Sequence, residues 1–276
     1  MTDYLVYDVF TDRPFGGNQL AIVPNAAELP EARLQTIARE FNFSETVFLY
    51  PPEGEGVAKA RIFNPSTELP FAGHPVIGTV VMLGEAGLGP DFILELGVGP
   101  MHVRAGDGRA SFTNEVALER LAHPDAALVA RALGTPGPTI MGQPVMASVG
   151  VAYTFTELVD RAALSDLVPD TTALREGAAR YPGRVSFPQV AYVRDGGSIH
   201  MRMFAPLDGV PEDPATGSAA AALGALLCEA DGAPLSLTIH QGEDMGRPSL
   251  IEVEAAPGRV TVSGSAVRVM EGKLVV

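Results

Sequence analysis

The chain has 276 residues, 46% hydrophobic and 19% charged, which is material for one large domain or two smaller ones and not the composition of a disordered chain. A formal net charge of -14 repels phosphate backbones and argues against nucleic acid as a partner. The single cysteine, Cys228, excludes an internal disulfide and any cysteine cluster for a metal.

The N-terminus, "MTDYLVYDVF", has neither the basic segment nor the apolar segment of a secretion signal. The apolar runs fall short of the ~20 residues that cross a bilayer, so a cytoplasmic protein without a membrane partner is expected. "YLVYDVFT" alternates and is rich in β-branched and aromatic residues, as a strand should be. A glycine-rich turn, "RPFGGNQ", leads to a second strand, "LAIVP". Residues 30–42 put Leu34, Ile37, Ala38 and Phe41 on one face, which with Pro30 in the first turn predicts an amphipathic helix. "ETVFLYP", "AKARIFNP", "DFILELG", "PMHVRAG" and "RASFTN" read as strands, interrupted by an apolar helix from about Pro75.

A helical patch at 124–133 marks the junction between halves. "MASVGVAYTFTEL" reads as one strand, "RAALSDL" and "TTALREGAAR" as short helices, and 184–206 as two strands about an Asp-Gly-Gly turn. After a second apolar helix at 217–230, "LSLTIHQG", "SLIEVEAA", "RVTVSGSAVRVM" and "GKLVV" read as separate strands. The regular strand–helix alternation of a dinucleotide-binding sheet is missing.

One pattern occurs twice. "RIFNPSTELP" (61–70) and "RMFAPLDGVP" (202–211) align Arg61 with Arg202, Phe63 with Phe204, Pro65 with Pro206 and Pro70 with Pro211, all at one offset. Each copy enters a short loop, "FAGHP" or "EDPATGS", that opens an apolar helix, so duplication is the better explanation. A helix apolar on all sides is a buried helix. Its N-terminus, set in a glycine-rich loop, offers unpaired N–H groups and a positive dipole end to a small anion such as a carboxylate.

The chemistry-bearing residues gather at these loops. His74 opens the first helix, where the cationic form is disfavoured and a neutral imidazole is expected; alone it reads as an ordinary loop histidine. Asp213 and Ser218 flank the start of the second helix and on the repeat occupy the same place as His74, although each also reads as a turn, capping or first-turn residue. Glu45, in "NFSETVFLY", is either a solvated glutamate or, beside Phe43, Val47 and Phe48, a partly desolvated one suited to proton transfer. The five histidines show no close metal spacing, no GxSxG elbow is present, and Cys228 lies deep in the second helix.

"DVFTDRPFGGNQLAIV", "IAREFNFSETVF", "RIFNPSTELPFAGHPVIGT", "MFAPLDGVPEDPATGSAAAAL" and "QGEDMGRPS", in this order, resemble the PhzF-like phenazine-biosynthesis family from residue 4 to the end of the chain. The resemblance implies a diaminopimelate-epimerase-like α+β fold: two pseudo-symmetric halves, each a curled, mostly antiparallel sheet around a central apolar helix, with the active site between them. The halves expected are 1–120, with its helix near 75–84 and strand 264–276 packed on it, and 121–263, with its helix near 217–230. The family's acid/base glutamate falls on Glu45. Its substrate-holding residues fall on His74, Asp213 and Ser218, with the loop glycines Gly73 and Gly217 beside them. The resemblance further implies a homodimer and a cofactor-independent, metal-free isomerase of a small carboxylic acid, similar to trans-2,3-dihydro-3-hydroxyanthranilate isomerase. Glu45 would move a proton from C3 to the ring. Neither loop carries the cysteine of the two-thiol racemases, which leaves as alternatives an epimerase without a cysteine pair and a non-catalytic carboxylate-binding protein.

Overall fold

The computed structural model describes residues 1–181 and 186–275. In chain order the strands and α-helices are β1 (Thr2–Val9), β2 (Asn18–Val23), α1 (Leu34–Phe41), β3 (Glu45–Tyr50), β4 (Ala58–Phe63), β5 (Glu68–Leu69), α2 (Gly73–Glu85), β6 (Asp91–Leu96), β7 (Gly99–Gly106) and β8 (Arg109–Asn114). They continue with β9 (Glu119–Ala122), α3 (Ala126–Leu133), β10 (Ile140–Ser148), β11 (Ala152–Leu158), α4 (Arg161–Ser165), α5 (Thr171–Arg180), β12 (Gln189–Asp195) and β13 (Ser198–Ala205). The last are β14 (Val210–Asp213), α6 (Gly217–Asp231), β15 (Leu235–Gln241), β16 (Ser249–Ala256) and β17 (Arg259–Leu274). Two compact units divide the chain, Met1–Thr113 with Val262–Val276, and Asn114–Thr261.

In the first unit β1 pairs antiparallel with β2, β2 parallel with β3, and β3 antiparallel with β4. One edge of β4 carries both β5, antiparallel, and β6, parallel; β6, β7 and β8 follow as antiparallel neighbours. β17 pairs with β1 and with β8, Ala266 N donating to Gly108 O at 3.0 Å, so the strands close into a ring. α2 runs against β1, β2, β3 and β7 with Gly73 to Met82 buried. A Cβ on Gly78 would sit 2.6 Å from Leu20 Cδ2 and 2.8 Å from Val9 Cγ2, so the helix approaches the sheet as closely as glycine allows. α1 covers an outer cluster with Val23, Phe48 and Phe63.

The second unit repeats this order. β10–β11 is antiparallel, β11–β12 parallel, β12–β13 antiparallel, and β13 carries β14 antiparallel and β15 parallel on one edge, with β16 antiparallel beyond. α6 packs on β10, β11, β15 and β16, and its Gly224 meets Val253 as Gly78 meets Leu20. α3, α4 and α5 bury their apolar faces on the other side, around Phe187 and Phe204.

The duplication is also written in side chains. Arg61 makes a two-pronged pair with Glu68, both bonds 2.7 Å, and lies over the Phe63 ring. Arg202 does the same with Glu212 at 2.8 Å and lies over Phe204. The register corrects the sequence alignment beyond the shared Pro65/Pro206. Ile62 opposes Leu69 while Met203 opposes Asp213, so the offset grows by three residues inside the loop, where a 3-10 turn at Pro206–Asp208 takes up the extra length. Pro70 therefore corresponds to Pro214 and not to Pro211. Ser218 corresponds to His74, and Asp213 corresponds to Leu69 and not to His74.

Other departures have local causes. The helix expected over 30–42 begins as a 3-10 turn at Glu31–Arg33, Arg33 N donating to Pro30 O, and becomes α-helical only from Leu34. α2 starts at Gly73, two residues before Pro75, whose missing N–H falls in the first turn, where a donor has no intrahelical acceptor. The single strand expected over 146–158 is a hairpin, β10 and β11, turned at Gly150, whose φ is +123° and whose N–H bonds Ser148 Oγ at 2.9 Å. β17 is one strand where two were expected, because Gly272 lies opposite Tyr4, whose ring occupies the space of the absent side chain. The strand expected from Arg184 begins at Gln189; Arg184 and Val185 lie outside the described residues.

Candidate active site

In the first unit, parallel pairing of β2 with β3 sets Leu20 opposite Glu45, so the first residues of both strands, Asn18 and Glu45, lie at one end of the sheet. The N-terminus of α2 opens at the same place. His74, in its first turn, is 3% exposed, and its Nδ1 lies 3.2 Å from Glu45 Oε2 and 3.2 Å from Asn18 Nδ2. Asn18 is 2% exposed and the Glu45 side chain 15%, so the pocketed carboxyl keeps only a narrow face to solvent. Of the apolar neighbours expected for Glu45, Val47 lies two residues on in β3, on the same face, and is fully buried; Phe48 lies on the opposite face in the cluster under α1, and Phe43 stacks on Phe41.

Burial dominates the electrostatics of His74. With no water to solvate a cation, its pKa falls to about 3, and the backbone of Gln19 offsets only part of that fall. The ring is therefore neutral at physiological pH, and its 3.2 Å approach to Glu45 Oε2 is a close contact and not an ion pair.

In the second unit, Asp213 ends β14 and Ser218 lies in the first turn of α6. Asp213 Oδ2 accepts from Thr216 Oγ1 at 2.6 Å. Gln241, buried at the end of β15, closes the loop: Oε1 accepts from Thr216 N at 2.9 Å, and Nε2 donates to Asp213 O at 2.7 Å and to Thr216 Oγ1 at 3.0 Å. Ser218 Oγ and the buried Tyr153 Oη are 2.8 Å apart. Gly73 and Gly217 are each the first residue of their helix, where backbone N–H groups have no intrahelical acceptor.

The structure thus joins Glu45 to His74, and sets Asp213 and Ser218 together at the mouth of α6. Sequence reasoning missed Asn18, Tyr153, Thr216 and Gln241 as site neighbours. Asn18 and Gln241 sit in the "FGGNQ" and "QGEDMG" blocks, but their partners depend on which strand ends lie beside which helix. Among the described residues no cluster of three or more His, Cys, Asp or Glu side chains is arranged to hold a metal ion, and no helix is long and apolar enough to cross a membrane. Cys228 is buried in α6.

Two duplicated strand units, each holding an apolar helix, define an α+β fold of the diaminopimelate-epimerase type, used by isomerases and epimerases. It is shared over 100% of this chain with a Bacillus anthracis phenazine biosynthesis protein of the PhzF family (TM-score 0.89, 21% identity, 99% of that chain). It is shared likewise with a "Predicted Epimerase" of Pseudomonas aeruginosa (TM-score 0.86, 30% identity, 100% of both chains). The family model for phenazine biosynthesis-like proteins matches residues 7–272, and the chain belongs to that family. It is 36% identical to the trans-2,3-dihydro-3-hydroxyanthranilate isomerase of Pseudomonas aeruginosa over 99% of both chains, and it is an isomerase.

Proposed function

We propose that this protein moves a proton within a small carboxylic acid without a cofactor, with Glu45 as the general acid/base. The observation that carries this reading is the Glu45–His74 pair: a carboxyl mostly withdrawn from water, 3.2 Å from an imidazole that burial keeps neutral. A carboxylate so placed takes a proton from carbon and returns it to another carbon of the same molecule. His74, unable to charge at working pH, does not compete for that proton and serves as a hydrogen-bonding group for the substrate. In the second unit Asp213, held by Thr216 and Gln241, suits a polar substituent and Ser218 with the Gly217 amide suits a carboxylate; in the first unit the Gly73 amide at the start of α2 offers a donor of the same kind.

The name of the 36% identical relative makes trans-2,3-dihydro-3-hydroxyanthranilate the first substrate to offer. Incubation in D2O followed by NMR should show loss of that acid and appearance of an isomer with deuterium at one ring carbon. The 30% identity to the "Predicted Epimerase" of Pseudomonas aeruginosa supports a second reading, inversion at the α-carbon of an amino or hydroxy acid. Deuterium at the original carbon with change of optical rotation would select it. Saturable binding of such acids with no exchange would overturn both and leave a carboxylate-binding protein.

A further inference from the structure

The two loops that open the central helices share their backbone packing but not their polar chemistry. In each, the glycine just after β6 or β15 lies hard against the loop proline. A Cβ on Gly97 would sit 2.8 Å from Pro70 Cα, and one on Gly242 would sit 2.7 Å from Pro214 O. With these pairs matched, Asp213, Thr216 and Gln241 correspond to Leu69, Ala72 and Leu96. The first loop opens its helix with apolar residues at those places, so the fold does not require the buried Asp213, Thr216 and Gln241.

Their proton order follows from the backbone. Thr216 N can only donate and Asp213 O can only accept, which fixes the Gln241 amide with Oε1 toward the first and Nε2 toward the second. Nε2 then also donates to Thr216 Oγ1 at 3.0 Å, and the hydroxyl turns its own hydrogen to Asp213 Oδ2, 2.6 Å away. A bond received in this way favours the charged form of a carboxyl. A proton on Oδ2 would leave Oγ1 accepting from both sides, with its own hydrogen turned away from the carboxylate.

We propose that Gln241 and Thr216 are positioning residues that hold Asp213 as a fixed hydrogen-bond acceptor. The second loop then takes a hydroxyl or ammonium group of the substrate and does not serve as a second proton carrier. This rests on the reading of Asp213 as the group that meets a polar substituent, and it narrows that substituent to a donor.

The test is calorimetric binding of two probes to the full chain. The first, 3-hydroxyanthranilate, carries a carboxylate, an amine and a hydroxyl and has no saturated carbon to deprotonate; the second, benzoate, carries the carboxylate alone. Wild type should bind 3-hydroxyanthranilate at least about tenfold more tightly, as a hydrogen bond to a charged group allows. Thr216→Val keeps the shape and loses the hydroxyl; it should weaken 3-hydroxyanthranilate about tenfold and leave benzoate within about twofold. Thr216→Ser should restore the wild-type affinity. A wild type without preference between the probes overturns the proposal, as does a Thr216→Val that weakens both equally or neither. In deuterium exchange Thr216→Val should raise KM with kcat nearly unchanged, and a loss of kcat at unchanged KM would make Asp213 a proton carrier and overturn the proposal. If the binding results hold while Glu45→Gln keeps full exchange activity, the reading of Glu45 falls and the acceptor role of Asp213 stands.

Discussion

His74 makes the stability of the protein depend on pH in a way that can be computed. In the unfolded chain the ring titrates near its ordinary value of 6.5; in the folded protein burial lowers it to about 3. Above pH 6.5 both states hold the ring neutral, and it contributes nothing. Between 6.5 and 3 the unfolded state binds a proton that the folded state refuses, so stability falls as pH falls and levels off below the folded value. At pH 5 the difference is about 1.5 pH units below the unfolded value, or ~2 kcal/mol. That figure changes little for any folded pKa below about 4, because at pH 5 the native ring is then already neutral. The assay is urea denaturation of wild type and His74→Gln at pH 7.5, 6.5, 5.5 and 5. The subtraction removes groups that titrate independently of this site, and the wild-type advantage should shrink by ~2 kcal/mol from the highest to the lowest pH. Parallel curves for the two proteins would refute the burial argument, and a wild-type advantage that grew on acidification would mean that Glu45 stabilises the cation.

The duplicated arginines should differ in weight. Arg202 binds Glu212 and the carbonyls of Leu164, Ser165 and Leu167, so Arg202→Met should cost about 3–5 kcal/mol in urea denaturation. Arg61, whose side chain is 21% exposed and whose partners Glu31 and Glu68 are more so, should cost about 1 kcal/mol. Gly78→Ala places a methyl group against Leu20 and Val9 and should lower stability by about 1–2 kcal/mol despite alanine's better helix propensity. Tyr153→Phe removes the partner of Ser218 Oγ and should raise KM severalfold while leaving the melting temperature within a few degrees.

The elements legible in the sequence were those with long, clean signals. α2 and α6 announced themselves because a run without charge at any face belongs inside a fold, and both are buried over their first ten residues or nearly so. The hairpin of β12 and β13 followed from Asp195-Gly196-Gly197. β5 and β14 are too short for a periodicity to show, and so the three-residue shift of the repeat stayed hidden in the turn before β14. Gly264 and Gly272 look like breaks in β17, yet each makes room for an aromatic ring, Phe10 and Tyr4, supplied from β1 and the residue after it. Glu45 and His74 stood out as titratable residues beside apolar segments. Asn18, Tyr153 and Gln241 did not, since an amide or a phenol in a strand acquires meaning only from the helix end packed against it.

The central claim is that Glu45 carries the proton. The most direct measurement is the rate at which solvent deuterium enters trans-2,3-dihydro-3-hydroxyanthranilate or its product, wild type against Glu45→Gln, with substrate saturation checked in both. The account predicts that exchange falls by about a thousandfold, within the range general acid/base groups supply, while substrate binding stays within a few fold. Exchange at an undiminished rate in the glutamine variant would contradict it.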